Sequence, residues 1–380
     1  MPSSNTSSVS LGRIARDWFT LGATGFGGPP AHIALLRKLC VDKNKWIAHE
    51  EFEDAIATTN LLPGPASTQL AIYCAWKLRG FAGAVVGALG FILPGLALII
   101  GLSALFFASA PPHWVIGVAA GAGAGVPAIA LYAAAQLAPQ SWQRAKSASN
   151  TKWRWMFYVV AGATTSIFSP QYVVLTMLAC GLLEISLSST AHGFIPLALG
   201  KTIVMGSFAS IAWVAFKVGA LSYGGGFVII PLMQHDVVST YHWMTNAQFL
   251  NAVALGQITP GPVVQTVSAV GYAARGLTGA LIAALVAFTP SFFFVVGGGK
   301  HFQSIRSNPK VTAFLRGAGP CVIGAILGSA ITLGRELGHW WQLPVLAMVA
   351  LWVFSKRNAV IALVSAGAIG GLVALTHLAV

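Results

Sequence analysis

Two short motifs built from glycine and proline recur in this chain, and their spacing offers the clearest chemistry. The first set is Gly27-Gly28 followed by Pro63-Gly64-Pro65, and the second is Gly224-Gly225-Gly226 followed by Pro260-Gly261-Pro262. Proline lacks an N–H and glycine tolerates left-handed backbone, so each motif stops one helix and starts another. A helix that starts inside a protein presents N–H groups without intrahelical partners, at the positive end of its dipole, and such an end binds anions. Thr68 and Gln69 after the first PGP, and Gln265 and Thr266 after the second, add hydroxyl and amide donors. Asn60 and Gln257 are matched polar residues just before each PGP. Lys217 sits in the middle of the apolar run SFASIAWVAFKVGALSYGGG. A charge at such a position faces a cavity or a partner, and it is the preferred positive charge for an anion. These residues together form the candidate binding site.

Titratable groups along the same path could carry protons. Glu51 and Asp54, with Glu50 and Glu53, lead into the first PGP, where the second copy has Asn246, Gln248 and Asn251. Glu184 lies deep in an apolar stretch and is a third proton-coupling candidate; His32 in the first glycine-broken segment ranks below these. Enzymatic signatures are missing: there is no HExxH, no GxSxG and no pair of carboxylates within apolar segments. Cys40, Cys74, Cys180 and Cys321 are isolated in sequence, so neither a metal site nor a cofactor nor a disulfide is expected.

The elements that position these residues are membrane helices. Of 380 residues, 56% are hydrophobic and 8% charged, against about 25% charged in soluble domains. No Asp or Glu occurs between Asp54 and Glu184, a length that holds several spans of roughly 20 residues each. The net charge of +13 fits cationic loops that fix orientation, and no nucleic-acid partner is expected. The lipid bilayer is the implied surrounding. The first residues, MPSSNTSSVSLGRIARDW, carry no apolar core of a signal peptide and read as a polar tail, 1–11.

The chain is a duplication. DWFTLGATGFGGPPAHIALL aligns with AFKVGALSYGGGFVIIPLM, Trp46 with Trp243, and the two PGP triplets with each other, all at one offset. Arg79-Gly80 align with Arg275-Gly276, and Pro94 with Pro290, one residue out of step. The repeats span 12–190 and 205–380 with a connector at 191–204. Each reads as a glycine-broken helix (12–38, 205–232), a shorter stretch centred on PGP (52–77, 249–272), two long apolar helices (80–108 and 113–138, 276–298 and 311–334) and a closing helix pair (153–189, 341–379). The basic stretch 139–154 is expected as a loop.

Loop charge places equivalent loops on opposite sides. Arg37, Lys38, Lys43 and Lys45 make the loop after the first broken helix cytoplasmic, whereas its counterpart, 233–248, has no Lys or Arg. The uncharged 108–113 connection is matched by one carrying Lys300, Arg306, Lys310 and Arg316. The halves are therefore expected as inverted repeats. Parity then requires each PGP stretch to enter and leave on one side, as a re-entrant hairpin, and it puts the N-terminus outside. Irregular backbone at that depth lines a cavity or lies buried in protein.

Phe26-Gly27-Gly28-Pro29 and Tyr223-Gly224-Gly225-Gly226, each followed by a PGP, Gly64-Pro65-Ala66-Ser67-Thr68-Gln69 and the Arg79-Gly80 step resemble the chromate ion transporter family over residues 12–335. The order of motifs resembles its two-domain, long-chain members. The resemblance implies chromate efflux across the plasma membrane and chromate resistance, with sulfate as the look-alike oxyanion. Proton coupling would make the protein an antiporter. A sulfate transporter or an anion channel of the same architecture is the alternative, and a homodimer is compatible with the sequence.

Overall fold

A computed structural model of the chain describes residues 9–60, 62–146, 151–188, 207–222, 226–298 and 308–376. All regular structure among them is helical. Five helices are long and apolar enough to cross a membrane: Ala66–Phe106, His113–Ala145, Pro170–Ser188, Val263–Gly298 and Pro309–Arg335. Large apolar side chains such as Trp153, Phe157, Phe168, Leu285 and Leu351 point outward, the surface of a protein whose solvent is lipid. This is a polytopic all-α membrane protein.

The two halves use the same parts in the same order. In the first, α1 (Leu11–Thr24) and α2 (Pro29–Arg37) flank a break in which Gly27 and Gly28 have φ of 103° and 72°. A π-helical turn, Lys38–Lys43, extends α2 before α3 (His49–Thr59) runs to the first PGP. Next come α4 (Ala66–Phe106), α5 (His113–Lys146), α6 (Thr151–Phe168) and α7 (Val173–Ser188). The second half supplies α8 (Ser207–Leu221), α9 (Ile229–His235) with its own π-helical turn (Asp236–Thr240), and α10 (Asn246–Ile258) before the second PGP. It ends with α11 (Thr266–Gly298), α12 (Pro309–Arg335), α13 (Gln342–Phe354) and α14 (Ala359–Leu375).

Two local features explain how the PGP elements are built. With 11 residues in α3 and 13 in α10, neither helix crosses a core about 30 Å thick at about 1.5 Å per residue. Both α4 and α11 contain one non-helical step at the matched position, where Gly80 and Gly276 take φ of 58° and 60° after Arg79 and Arg275. Each is thus a short helix following the PGP joined at an angle to a long one. The expected loop at 139–154 is corrected: α5 continues through Pro139 to Lys146 and α6 begins at Thr151. At 34 residues, α5 is about 51 Å long, so its basic end is a helix extending past the apolar core rather than a loop. Tyr223, Gly224, Gly225, Lys300, Arg306 and the 191–204 connector lie outside the described residues.

Packing interlocks the halves. Within each half the first helix lies on the long one, α1 on α4 and α8 on α11, and α4 packs on α11 between halves. The closing pairs are exchanged: α13 and α14 pack on α5, whereas α6 and α7 pack on α12. Without a hydrophobic drive in lipid, such contacts depend on close approach at small residues. A Cβ on Gly162 would stand 1.9 Å from the Cys321 carbonyl oxygen, and one on Gly324 would stand 1.9 Å from that of Val159. Gly121 and Gly370 do the same between α5 and α14, at 2.2 Å from the Ala366 oxygen and 2.1 Å from the Gly117 oxygen.

Gly324→Leu should therefore separate α6 from α12 and destabilise the fold by about 3 kcal/mol or more, in the range of severe overpacking. Thermal unfolding in detergent, followed by size-exclusion fluorescence, measures this; an unchanged Tm would mean that α6 does not pack there.

Candidate functional site

The two PGP turns are tied to the two helix breaks, crosswise. The Gly64 N–H donates to the Ser222 carbonyl at 3.0 Å, and the Gly261 N–H donates to the Gly25 carbonyl at 2.9 Å. Gly25 and Ser222 are the residues just past the ends of α1 and α8, where a helix leaves carbonyls without partners. Each half thus caps the broken helix of the other. Both glycines need left-handed backbone for this, with φ of 111° at Gly64 and 89° at Gly261. The Pro63, Gly64, Gln69 side of the site is closed by Gly219 of α8 and Ser291 of α11. The Pro260, Gly261, Gln265 side is closed by Gly22 of α1 and by Ile92 and Gly95 of α4.

His32 connects these two clusters. Its ring is 1% exposed, with Nε2 donating to the Gly25 carbonyl at 2.9 Å and Nδ1 3.1 Å from Ser67 Oγ. Phe91 meets it edge-on at 5.1 Å. Since the carbonyl only accepts, Nε2 carries the proton, and in the neutral ring Nδ1 accepts from Ser67. One carbonyl therefore receives both the opposite half's PGP amide and the imidazole of its own half. The counterparts of His32 and Ser67 are Ile229 and Val264, so this polar link belongs to the first half.

The candidate donors lie around these turns with several of their polar atoms open. Thr68 and Gln69 are fully buried, as are Gln265 and Thr266. Gln69 Nε2 donates to the Pro63 carbonyl at 2.6 Å and Gln265 Nε2 to the Ile92 carbonyl at 2.7 Å, so both amides brace the turns. Thr266 Oγ1 donates to the Val263 carbonyl at 2.8 Å. Thr68 Oγ1, Ser222 Oγ, Gln257 Nε2 and Ser268 Oγ are buried without a hydrogen-bond partner. Buried polar atoms in that condition are exceptional and mark places where another polar species belongs. Helix starts add the N–H groups of Ala66 and Ser67 and of Val263 and Val264, which precede the first intrahelical bonds. The break before α2 offers less than expected, because Pro29 and Pro30 have no N–H. Gly226 opens a short turn ahead of α9, whereas Gly224 and Gly225 lie outside the described residues. Asn60 is exposed at the end of α3.

The charged candidates are engaged. Lys217 Nζ donates to the Asp236 carboxylate, and it lies 5.8 Å over the Trp213 ring. The first half has Thr20 and Leu39 at these positions, so the pair is another feature of one half. Glu51 pairs with Lys77 at 2.6 Å and accepts from the Tyr73 hydroxyl at 3.2 Å, while Asp54 is exposed one turn along α3. Glu184, 1% exposed, lies 3.4 Å from Arg154 and 3.9 Å from Arg316 and accepts from the Tyr158 hydroxyl at 2.9 Å. It ties α6, α7 and α12 together. An apolar cavity of about 380 Å³ runs from Pro63 and Leu221 between α7 and α12 to Lys310. Among the described residues no group of three or more His, Cys, Asp or Glu side chains could hold a metal ion.

Ser222 and Ser291 stand at the site without a motif to announce them. Ser222 was findable as the counterpart of Gly25 in the repeat. Ser291 follows Pro290 directly, and only the fold brings it to Gln69.

Comparison with known proteins gives a consistent picture. The family model described as "Chromate transporter" matches residues 12–185 and again 209–372. A chromate transport protein of Cupriavidus metallidurans is 32% identical over 381 residues, 96% of this chain and 93% of that protein. A "probable chromate transport protein" of Synechococcus elongatus is 28% identical over 383 residues, 96% and 95% of the two chains. An uncharacterised transporter of Bacillus subtilis, YwrB, is 36% identical over 168 residues, 44% of this chain and 83% of its own. No solved structure matches the chain.

Gly64→Leu and Gly261→Leu should each abolish activity. Alanine should separate them. A Cβ on Gly64 meets Ser291 Oγ at 2.6 Å and the Gly219 oxygen at 3.1 Å, whereas one on Gly261 meets nothing nearer than 3.6 Å. Both pay left-handed strain of roughly 1–2 kcal/mol, so Gly64→Ala should lower Tm further than Gly261→Ala. Equal losses, or an active double leucine variant, would contradict the crossed arrangement.

Proposed function

The chain belongs to the chromate transporter family, and from that premise we propose that it is a secondary transporter exporting chromate across the plasma membrane and conferring chromate resistance. The crossed pair of PGP turns carries this reading. It assembles two helix starts and several unpartnered buried donors from both halves, in an interior with few charges. A tetrahedral dianion is bound well by such N–H and O–H donors, which act strongly where water is excluded. The relatives' names favour chromate; the donor set suits sulfate equally.

The loop charges and the short α3 and α10 support an inverted repeat with re-entrant PGP hairpins. In that arrangement the turns sit near the midplane, where inverted-repeat transporters hold their substrates. The anion would contact the residues around Gly27-Gly28 and Gly224-Gly225-Gly226, with Thr68 and Gln257 among the donors. Pro63, Pro65, Pro260 and Pro262 shape the turns, while Gln69, Gln265 and Thr266 hold them. Lys217 would supply positive charge by exchanging Asp236 for the oxyanion, so that loading breaks one ion pair and forms another. Glu51 and Asp54 are the better-placed proton carriers. Glu184 is instead held by two arginines and a tyrosine between α6, α7 and α12.

Inside-out vesicles containing the protein should take up chromate in a manner that depends on the proton gradient, with sulfate as competitor. No uptake, in vesicles shown to hold folded protein, would remove the substrate. Lys217→Ala should abolish this uptake, and Lys217→Ala/Asp236→Ala should remain inactive. Recovery in the double variant would make the pair purely structural.

A further inference from the structure

An oxyanion bound for the PGP turns must first leave water, and a polar cavity lies beside the first turn. The cavity measures about 70 Å³ and is lined by Asn60, Gln140, Ser141 and Arg144, with Gly319 and Val322 among its apolar walls. Asn60 ends α3, three residues before Pro63. Gln140 and Arg144 are one turn apart on the last part of α5, so they share a face. We propose that these four side chains form a docking site for a tetrahedral oxyanion at the mouth of the first PGP turn. The proposal rests on the transport reading and adds where the substrate loads.

Every polar group in the lining can donate, and no carboxylate lines it. Arg144 supplies charge and a planar fork of N–H groups that matches an oxyanion in pairs. Asn60 and Gln140 supply amide N–H groups from exposed positions. Ser141 Oγ accepts the Trp155 indole N–H at 3.0 Å, which leaves its own O–H as a donor. Trp155 also meets Trp142 edge-on at 5.0 Å, fixing the end of α5 against α6. Val322 lines this cavity and also the apolar one that reaches Pro63, so the docking site abuts the first turn.

The second half carries opposite chemistry. The register that matches Pro94 with Pro290 puts Glu336, Leu337 and Trp340 where the first half has Gln140, Ser141 and Arg144. Glu336 is already bonded by Asn246 Nδ2 at 2.9 Å. A carboxylate there repels an anion and offers it no donor. The halves are alike at the turns and different at the mouths, so loading is favoured from one side. For an exporter that side would be the cytoplasm, the side that basic segments such as 139–154 favour.

Two measurements on the full chain test this. In vesicle flux, Arg144→Gln should raise the KM for sulfate or chromate about ten-fold with little change in the maximal rate, and Arg144→Lys should recover part of the loss. A fall in maximal rate at unchanged KM would make Arg144 structural and overturn the proposal. In purified protein, the thiol of Asn60→Cys should react with an anionic methanethiosulfonate, sulfate should slow that reaction, and Arg144→Gln should remove the protection. Labelling indifferent to sulfate would also overturn it. Should the Arg144 variants fail to fold, labelling of Asn60→Cys alone still decides. Sulfate protection without any flux would refute the transport reading and leave the docking site standing.

Discussion

A helix interrupted inside an apolar protein leaves backbone N–H and C=O groups that must find partners, and that constraint organises this molecule. Each half breaks off its first helix, α1 after Thr24 and α8 after Leu221, and breaks its chain again at the PGP turn. The PGP amide of one half satisfies the carbonyl at the break of the other, Gly64 to Ser222 and Gly261 to Gly25. Neither half can complete its own broken helix. Gly22 and Gly219 then bring α1 and α8 close to the long helices, where a Cβ would meet the Phe91 and Ala287 carbonyl oxygens at 2.5 and 2.0 Å. The exchange of closing helix pairs, with α6 and α7 on α12 and α13 and α14 on α5, carries the same interdependence outward.

On this symmetric frame the polar side chains are distributed unequally. His32 and Ser67 in the first half correspond to Ile229 and Val264 in the second, and Lys217 and Asp236 in the second correspond to Thr20 and Leu39 in the first. The backbone needs of both halves are the same, so glycines and prolines are kept at matched positions. Direction, selectivity and coupling have no reason to be symmetric, and the residues able to serve them are not. Thr68, Ser222, Gln257 and Ser268 hold unpartnered polar atoms among them, which an apolar interior retains at a cost unless they serve a substrate.

Much of this was legible in the residues. The duplication, the break at Gly27-Gly28, the PGP turns and the Arg-Gly step are local backbone events, and glycine and proline announce such events directly. The left-handed φ values of Gly28, Gly64, Gly80, Gly261 and Gly276 follow from the same chemistry. What was not legible is who meets whom. The acceptor of the Gly64 amide lies far along the chain in the other half, and no periodicity encodes it. Asp236 lies in the stretch 233–248, which has no Lys or Arg, and only the course of α9 and its π-helical turn carries it to Lys217. Pro29 and Pro30 leave the start of α2 with few donors although glycines precede it. The polar face of α5 was hidden by a basic composition that resembles a loop.

The most direct measurement is an electron cryomicroscopy structure of the full chain in lipid nanodiscs with saturating sulfate or chromate. The account predicts tetrahedral density within hydrogen-bonding distance of the N–H groups of Ala66 and Ser67 or of Val263 and Val264, with the Gly64–Ser222 and Gly261–Gly25 bonds intact. Density confined to places remote from both turns, or turns bonded only within their own half, would contradict it.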